Sequence, residues 1–267
     1  MAFEDILYEK RDGVATITIN RPRVLNAFRA ETVEEMLEAM RDAEDDRDIG
    51  VIVLAGAGDR AFCSGGDNSA RAAGSEKEGG YGGRGLVGLP IEEFHTAIRD
   101  SRKPVIAKVQ GYAIGGGNVL ATVCDLTIAS EKAVFGQVGP RVGSVDPGWG
   151  TAYLSRLVGE KRAREIWFLC RRYTAAEAFQ MGLVNKVVPA EQLDAEVEAW
   201  CREILALSPT AIAIAKRSFN ADSETIKGIG VRGFEALAPY YEIAEAKEGT
   251  RAFLEERPPD FRGKRKS

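Results

Sequence analysis

The sequence predicts an α/β protein with a sheet-rich first half and a helical second half. Three observations carry this. Apolar runs bounded by glycine alternate with helix-spaced segments up to about residue 148. Two of those runs lead into glycine-rich turns, and beyond residue 148 helical spacing dominates. The 267 residues suffice for one large domain, or for a core with a helical appendage.

Taken in order, "ILYEKRDGVATITINRP" reads as two short strands around an Asp12–Gly13 turn. "ETVEEMLEAMRDAEDD" sets Val33, Met36, Leu37 and Met40 at helical spacing. "GVIVLAGAG" is a continuous apolar run ending in glycine, as a strand buried on both faces would be. "ARAAGSEKEGGYGGRGLVGLP" is rich in glycine and charge and predicts a mobile loop, either a lid or a disordered segment. "KPVIAKVQGYAIGGG" repeats the strand form and enters a helix at "GGNVLATVC"; "DLTIAS" is a further strand. Helical patterns follow in "TAYLSRLVG", "KRAREIWFLC", "AAEAFQMG", "AEQLDAEVEAWCREILALS", "PTAIAIAKRSFNA" and "FEALAPYYEIAEAKEG". The last carries Phe234, Leu237, Tyr240 and Tyr241, an apolar face expected to pack on a partner subunit. No internal repeat is visible.

Composition excludes several classes of function. Hydrophobic residues at 45% and charged residues at 28% suit an ordinary soluble globular protein. No window reaches the ~18 uninterrupted apolar residues of a membrane span. The acidic start "MAFEDILYEKRDG" lacks the order of a signal peptide, so a cytoplasmic protein is expected. A net charge of −4 does not point to nucleic acid. The basic tail "FRGKRKS" suits a solvated end or a contact to an anionic ligand. Cys63, Cys124, Cys170 and Cys201 form no CxxC pair, and His95 is the one histidine. That set does not support a zinc site, and the cysteines read as small buried hydrophobes. A Ser-His-Asp triad would need His95, and no GxSxG elbow exists.

Chemistry concentrates in three segments. "FCSGGDN" (62–68) and "GYAIGGGNVL" (111–120) each follow a strand-like run. Neither is a Walker A loop or a dinucleotide fingerprint. Glycine lets a ligand approach the main chain, and a helix starting at the second turn adds a positive dipole end. Two converging N–H donors make an oxyanion hole, which suits a thioester carbonyl becoming an enolate. The third segment, "GPRVGSVDPGWG" (139–150), holds a lone acid, Asp146, among residues that break helices and strands. Read alone, Asp146 also suits a loop Asx-turn.

In this order and spacing, "AFCSGGD", "KPVIAKVQGYAIGGGNVL" and "CDLTIASEKAVFGQVGP" resemble the crotonase superfamily of enoyl-CoA hydratases and isomerases, across essentially the whole chain. The resemblance implies a spiral of ββα repeats over residues 1–200, carrying a CoA-thioester site. It implies a helical trimerisation region at 201–267, and a homo-oligomer that is a trimer or a dimer of trimers. It further implies an acyl-CoA substrate whose thioester oxygen is held by the amides of Gly66 and Gly116. Along the CoA ester it places Leu25 and Ala27, then Ser64, Gly65, Asp67 and Asn68, then Ile114 and Gly115.

The departures from the hydratase pattern matter most. Hydratases of the superfamily add water with two glutamates; the matching positions here are Val119 and Gly139, so simple hydration is disfavoured. "FGQVGPRVGSVDPGWG" resembles two other branches: ring-closing dihydroxynaphthoyl-CoA synthases and ring-opening 2-ketocyclohexanecarboxyl-CoA hydrolases. In both, the loop aspartate is thought to move protons, which implies Asp146 as acid/base with Ser144 orienting it or a substrate oxygen. The resemblance also implies bicarbonate or chloride near Gln137 and Gly139 against the Trp167 ring, and no other cofactor. Trp167 is equally readable as core. Tyr241 would donate to a ring ketone, or serve as an interface aromatic; Tyr81 would close over the ligand. "LPIEEFHTAIRD" with His95, Asn118 after GGG, Val145-Asp146-Pro147 and Leu25 all favour the ring-opening branch. His95 itself reads as a core, capping or pocket residue. A non-catalytic binding protein on the same fold is the remaining alternative; the acidic charge and the intact acid loop argue against it.

Overall fold

β1 (Ile6–Arg11) and β2 (Val14–Ile19) form an antiparallel hairpin whose turn puts Asp12 and Gly13 at positive φ, 51° and 82°. This is the first element of a computed structural model that describes residues 3–75 and 80–263. α1 (Ala30–Asp45) follows and buries Val33, Met36, Leu37 and Met40, the stripe its spacing predicts.

Three strand pairs then climb the molecule. They are β3 (Val51–Gly56) with β4 (Ala61–Cys63), β5 (Val105–Val109) with β6 (Tyr112–Ile114), and β7 (Leu126–Ser130) with β8 (Val134–Gly136). Helices α2 (Asn68–Ser75) and α3 (Ile91–Asp100) lie between the first and second pairs, and α4 (Gly116–Val123) between the second and third. Each pair gives one strand to each of two sheets. The larger runs β1-β2-β3-β5-β7-β10 and the smaller β4-β6-β8-β9, with β9 at Arg172–Thr174 and β10 at Lys186–Val188. This is the ββα spiral. It explains the continuous apolar runs: Ile52 and Leu54 of β3 enter the main core, while Val51 and Val53 face a second core with Ile106, Ile128, Val197 and Cys201.

The second half begins with α5 (Gly139–Val142), a π-helical turn at Trp149–Tyr153, α6 (Leu154–Val158) and α7 (Glu160–Leu169). It continues with α8 (Ala175–Gln180), α9 (Leu193–Leu205), α10 (Pro209–Asp222), α11 (Thr225–Glu242) and α12 (Ala244–Leu254). β9 and β10 interrupt the helical reading of this half. At three residues each they are too short to show an alternating pattern.

Two expectations need correction. The face of α11 does not lie open for a partner: Phe234, Leu237 and Tyr241 are 3%, 3% and 6% exposed, packed into this chain's own core. An apolar stripe records that a face is covered, not by what. Outward apolar side chains sit on α7 (Phe168, Leu169), on α10 (Ile214, Phe219) and on another face of α11 (Ile229, Val231). The glycine-rich stretch is also not a plain loop. Its start forms α2, and residues 80–90 are pinned by Tyr81 N–H to Val87 O (2.9 Å) and Gly83 N–H to Gly88 O (2.7 Å), with Val87 and Leu89 buried. Residues 76–79 of that expected loop, and 264–267 of the basic tail, lie outside the described residues. All four cysteines are buried and free. Among the described residues no helix is long and apolar enough to cross a membrane.

Candidate active site

The two glycine turns meet. Phe28 bridges to the first of them: its amide donates to Gly65 O (2.9 Å) and its carbonyl accepts from Asp67 N–H (2.8 Å). That pattern leaves the Gly66 amide out of the ladder. On the second turn, Gly115 N–H donates to Gly136 O (2.9 Å), and α4 starts at Gly116. Among the described residues neither the Gly66 nor the Gly116 amide donates to another main-chain carbonyl. The turns touch so closely that a Cβ on Gly65, whose φ is +94°, would lie 2.9 Å from the Gly116 nitrogen. Two free amides on adjoining turns, one at a helix N-terminus, can receive an oxyanion.

Opposite these turns runs the acid loop. Gly143 and Gly148 both adopt positive φ, at 66° and 80°, which lets the loop fold back on itself. Asp146 Oδ1 accepts from Gly150 N–H at 3.1 Å. The space beside it is reserved: a Cβ on Gly150 would come within 2.9 Å of the Asp146 side chain. Desolvation in the cleft pushes the Asp146 pKa up to about 7; the Gly150 bond opposes this, and the carboxylate of half-buried Glu92 adds to it. An acid titrating near neutrality can both take and return a proton.

Both features open on one cleft. Of the residues singled out by sequence, Ser64, Gly65, Gly66, Asn68, Tyr81, Gly115, Gly116, Gln137, Gly139, Ser144, Asp146, Trp167 and Tyr241 line it. Tyr241 Oη and Ser144 Oγ share a hydrogen bond of 2.7 Å. The Tyr81 hydroxyl stands over Gly66, where a Cβ would lie 2.0 Å from it, and burial holds its proton on. Trp167 donates its indole N–H to Gly150 O, so the ring braces the acid loop from behind. Gln137 is 1% exposed, and neither of its amide atoms finds a partner among the described residues.

Four of the expected residues stand outside the cleft lining. Leu25 (φ 55°) accepts the Ser64 amide at its carbonyl (3.1 Å), and Ala27 O accepts from Arg21 Nη1; both hold the first turn through main chain. Asp67 caps α2, accepting from Ser69 N–H (2.9 Å), and pairs with Arg21 (3.0 Å). Ile114 is buried where β6 pairs with Gly136. His95 is fully buried with no partner among the described residues for either ring nitrogen, and desolvation pushes its pKa down to about 3. It is a neutral core residue away from the cleft. Conversely, sequence reasoning missed the apolar lining of Phe28, Val87, Leu89, Ile91 and Phe234, and the charged lining residue Arg71. Of the apolar five, Val87 and Leu89 fell in the stretch expected to be a mobile loop and Phe234 on the face expected to pack on a partner subunit. Arg71 carried one signal, a single arginine among alanine and glycine on the first helix after the turn.

Asp146 is thus the one carboxylate lining the cleft among the described residues. The two hydratase-type positions carry no acid. Val119 is fully buried, and at Gly139 even a Cβ would meet Ser144 O at 2.5 Å and the Trp167 ring at 2.8 Å.

Comparison with known proteins shows the family and the fold. Residues 9–264 match the family described as enoyl-CoA hydratase/isomerase. The fold is similar to an enoyl-CoA hydratase from Mycobacterium avium subsp. paratuberculosis K-10, with a TM-score of 0.84 and 30% identity over 97% of this chain and 99% of that one. It is also similar to a carnitinyl-CoA hydratase from Mycobacterium avium, with a TM-score of 0.83 and 29% identity over 98% and 99%. With the family match spanning nearly its whole length and the spiral fold in place, this chain belongs to the enoyl-CoA hydratase/isomerase family of the crotonase superfamily.

Proposed function

We propose that the protein is a 2-ketocyclohexanecarboxyl-CoA hydrolase, which opens the ring of a cyclic β-keto acyl-CoA with water. The observation that carries this reading is a lone carboxylate, Asp146, with its pKa raised to about 7 in a cleft whose hydratase-type positions hold valine and glycine. The chemistry follows from the groups in the cleft. Ionised Asp146 takes a proton from water, and the oxygen bonds to the ring ketone carbon. The bond from that carbon to the α-carbon then breaks. Its electron pair passes into the thioester, whose enolate oxygen rests on the Gly66 and Gly116 amides. Asp146 returns its proton to the α-carbon, giving pimeloyl-CoA. One oxyanion donor is worth about 3 kcal/mol of transition-state stabilisation, so two amides can carry much of the rate. The Tyr241–Ser144 hydroxyl pair can polarise the ketone. The orphaned Gln137 amide suits a small anion such as bicarbonate beside Gly139, and no step above requires it.

The test is incubation with 2-oxocyclohexane-1-carboxyl-CoA, read by mass, with o-succinylbenzoyl-CoA in parallel for the ring-closing direction. A gain of one water in the first supports the reading; loss of water in the second alone replaces it with ring closure. Asp146→Asn is expected to abolish turnover while CoA-ester binding stays within a few-fold, and near-wild-type turnover would remove Asp146 from its role. Because the base form is required, wild-type kcat/KM is expected to rise with pH through about 7.

A further inference from the structure

Arg71 is a buried cation with no counter-ion among the described residues. It is 4% exposed and lines the same cleft as Asp146. Among the described residues its guanidinium meets only neutral groups. Nη2 donates to Val142 O (2.5 Å) and to the Thr250 hydroxyl, Nη1 donates to Gly143 O (3.4 Å), and the plane lies 5.0 Å from the centre of the Tyr241 ring. No carboxylate pairs with it among the described residues, whereas buried Lys216 holds Asp125 at 2.6 Å and Arg29 holds Asp5 at 2.8 Å. Arginine keeps its charge in a protein, and a desolvated cation with neutral neighbours favours any anion that enters. Tyr241 and Arg71 also border a second cavity, lined further by Lys247, Thr250, Arg251 and Glu255. That cavity shares Arg71 and Tyr241 with the cleft, and its other cations stand by carboxylates, Lys247 by Glu242 (3.3 Å) and Arg251 by Glu248 (2.5 Å).

We propose that Arg71 binds the free carboxylate of an acyl-CoA whose acyl chain ends in a second acid. The identity of that acid rests on the ring-opening reading: attack of water turns the ketone carbon into a carboxyl group inside the cleft. That group loses its proton at neutral pH, and as an anion it can accept from the guanidinium N–H groups that Val142, Gly143 and Thr250 leave free. On this view Arg71 draws the new carboxylate away from Asp146, its like-charged neighbour in the cleft, and toward the second cavity. The other anions of such a ligand are the phosphates of CoA, which every CoA ester shares.

Affinities of the wild-type protein for pimeloyl-CoA, heptanoyl-CoA and free CoA at pH 6 separate the two. Wild type is expected to bind pimeloyl-CoA at least about tenfold more tightly than heptanoyl-CoA, the scale of one charge-assisted contact. Arg71→Met should bring that ratio to within about twofold of unity by weakening pimeloyl-CoA alone, with Arg71→Lys between, since lysine keeps the charge but not the planar set of donors. Absence of a preference in wild type overturns the proposal. Equal weakening of all three ligands by Arg71→Met also overturns it, placing the side chain on phosphate or on the fold. Should the Met variant not fold, the wild-type ratio and the Lys variant decide. Binding needs no turnover, so a protein that prefers pimeloyl-CoA yet opens no ring keeps this inference and loses the hydrolase reading.

Discussion

Asp146 stands in conflict with its surroundings, and the conflict has a measurable sign. Its folded pKa lies near 7, above the ordinary 3.8, because the cleft disfavours its ionised form. Between these values the unfolded chain has lost the proton and the folded one still holds it, so stability falls as pH rises through that window and levels off above. Asn cannot ionise. Asp146→Asn is therefore expected to gain stability over wild type progressively from about pH 4 to pH 7 in urea titrations. A difference that stays constant with pH would mean that the cleft does not desolvate the acid. The sequence offered Asp146 as a lone acid on a stiff loop, equally readable as a turn-former. What separates the roles is where the loop sits, against the Trp167 ring and on one cleft with Tyr241. Arg71 shows the same limit: nothing in the letters around it says that its charge goes unanswered.

At the scale of elements, the oxyanion hole is a junction of two turns rather than a motif. Gly65 matters because its φ of +94° is open to glycine, and because a side chain there would press on the Gly116 amide. Gly65→Ala is expected to lower kcat by about 100-fold or more, the cost of losing an oxyanion donor. Far-ultraviolet circular dichroism should remain near wild type. Turnover within threefold of wild type would show that the junction tolerates displacement and is not the charge-stabilising feature. Both turns were legible in the sequence, as glycines following strand-like runs. α2 was not: "NSARAAGS" has too few apolar residues to show a helical stripe, and its formation depends on the Asp67 cap and on packing beneath α12.

Across the whole molecule, the helical half is tied to the spiral by a buried charge. Lys216 of α10 is 5% exposed and donates to Asp125 (2.6 Å), Ile98 O and Lys103 O (both 2.9 Å), groups about a hundred residues away along the chain. Lys216→Met would take the cation from Asp125, which keeps the Val105 N–H (2.8 Å), and a loss of about 3 kcal/mol in urea unfolding is expected from breaking such a pair. A loss below about 1 kcal/mol would show that α10 is held by apolar contact alone. α12 makes the second tie, packing on α2 and α5 and so closing the cleft from behind.

By itself the sequence determined the periodic part of this protein: the hairpin, the strands buried on both faces, the stripe of α1 and the two glycine turns. These are local choices, fixed by side-chain spacing and by which backbone angles glycine allows. Only the tertiary structure decided what each stripe and each charge meets. It buried Phe234 and Tyr241 in their own chain, silenced His95 in the core, and set Asp146 and Arg71 on one cleft. Such pairings join residues far apart in sequence, and their energies depend on burial and on nearby charge.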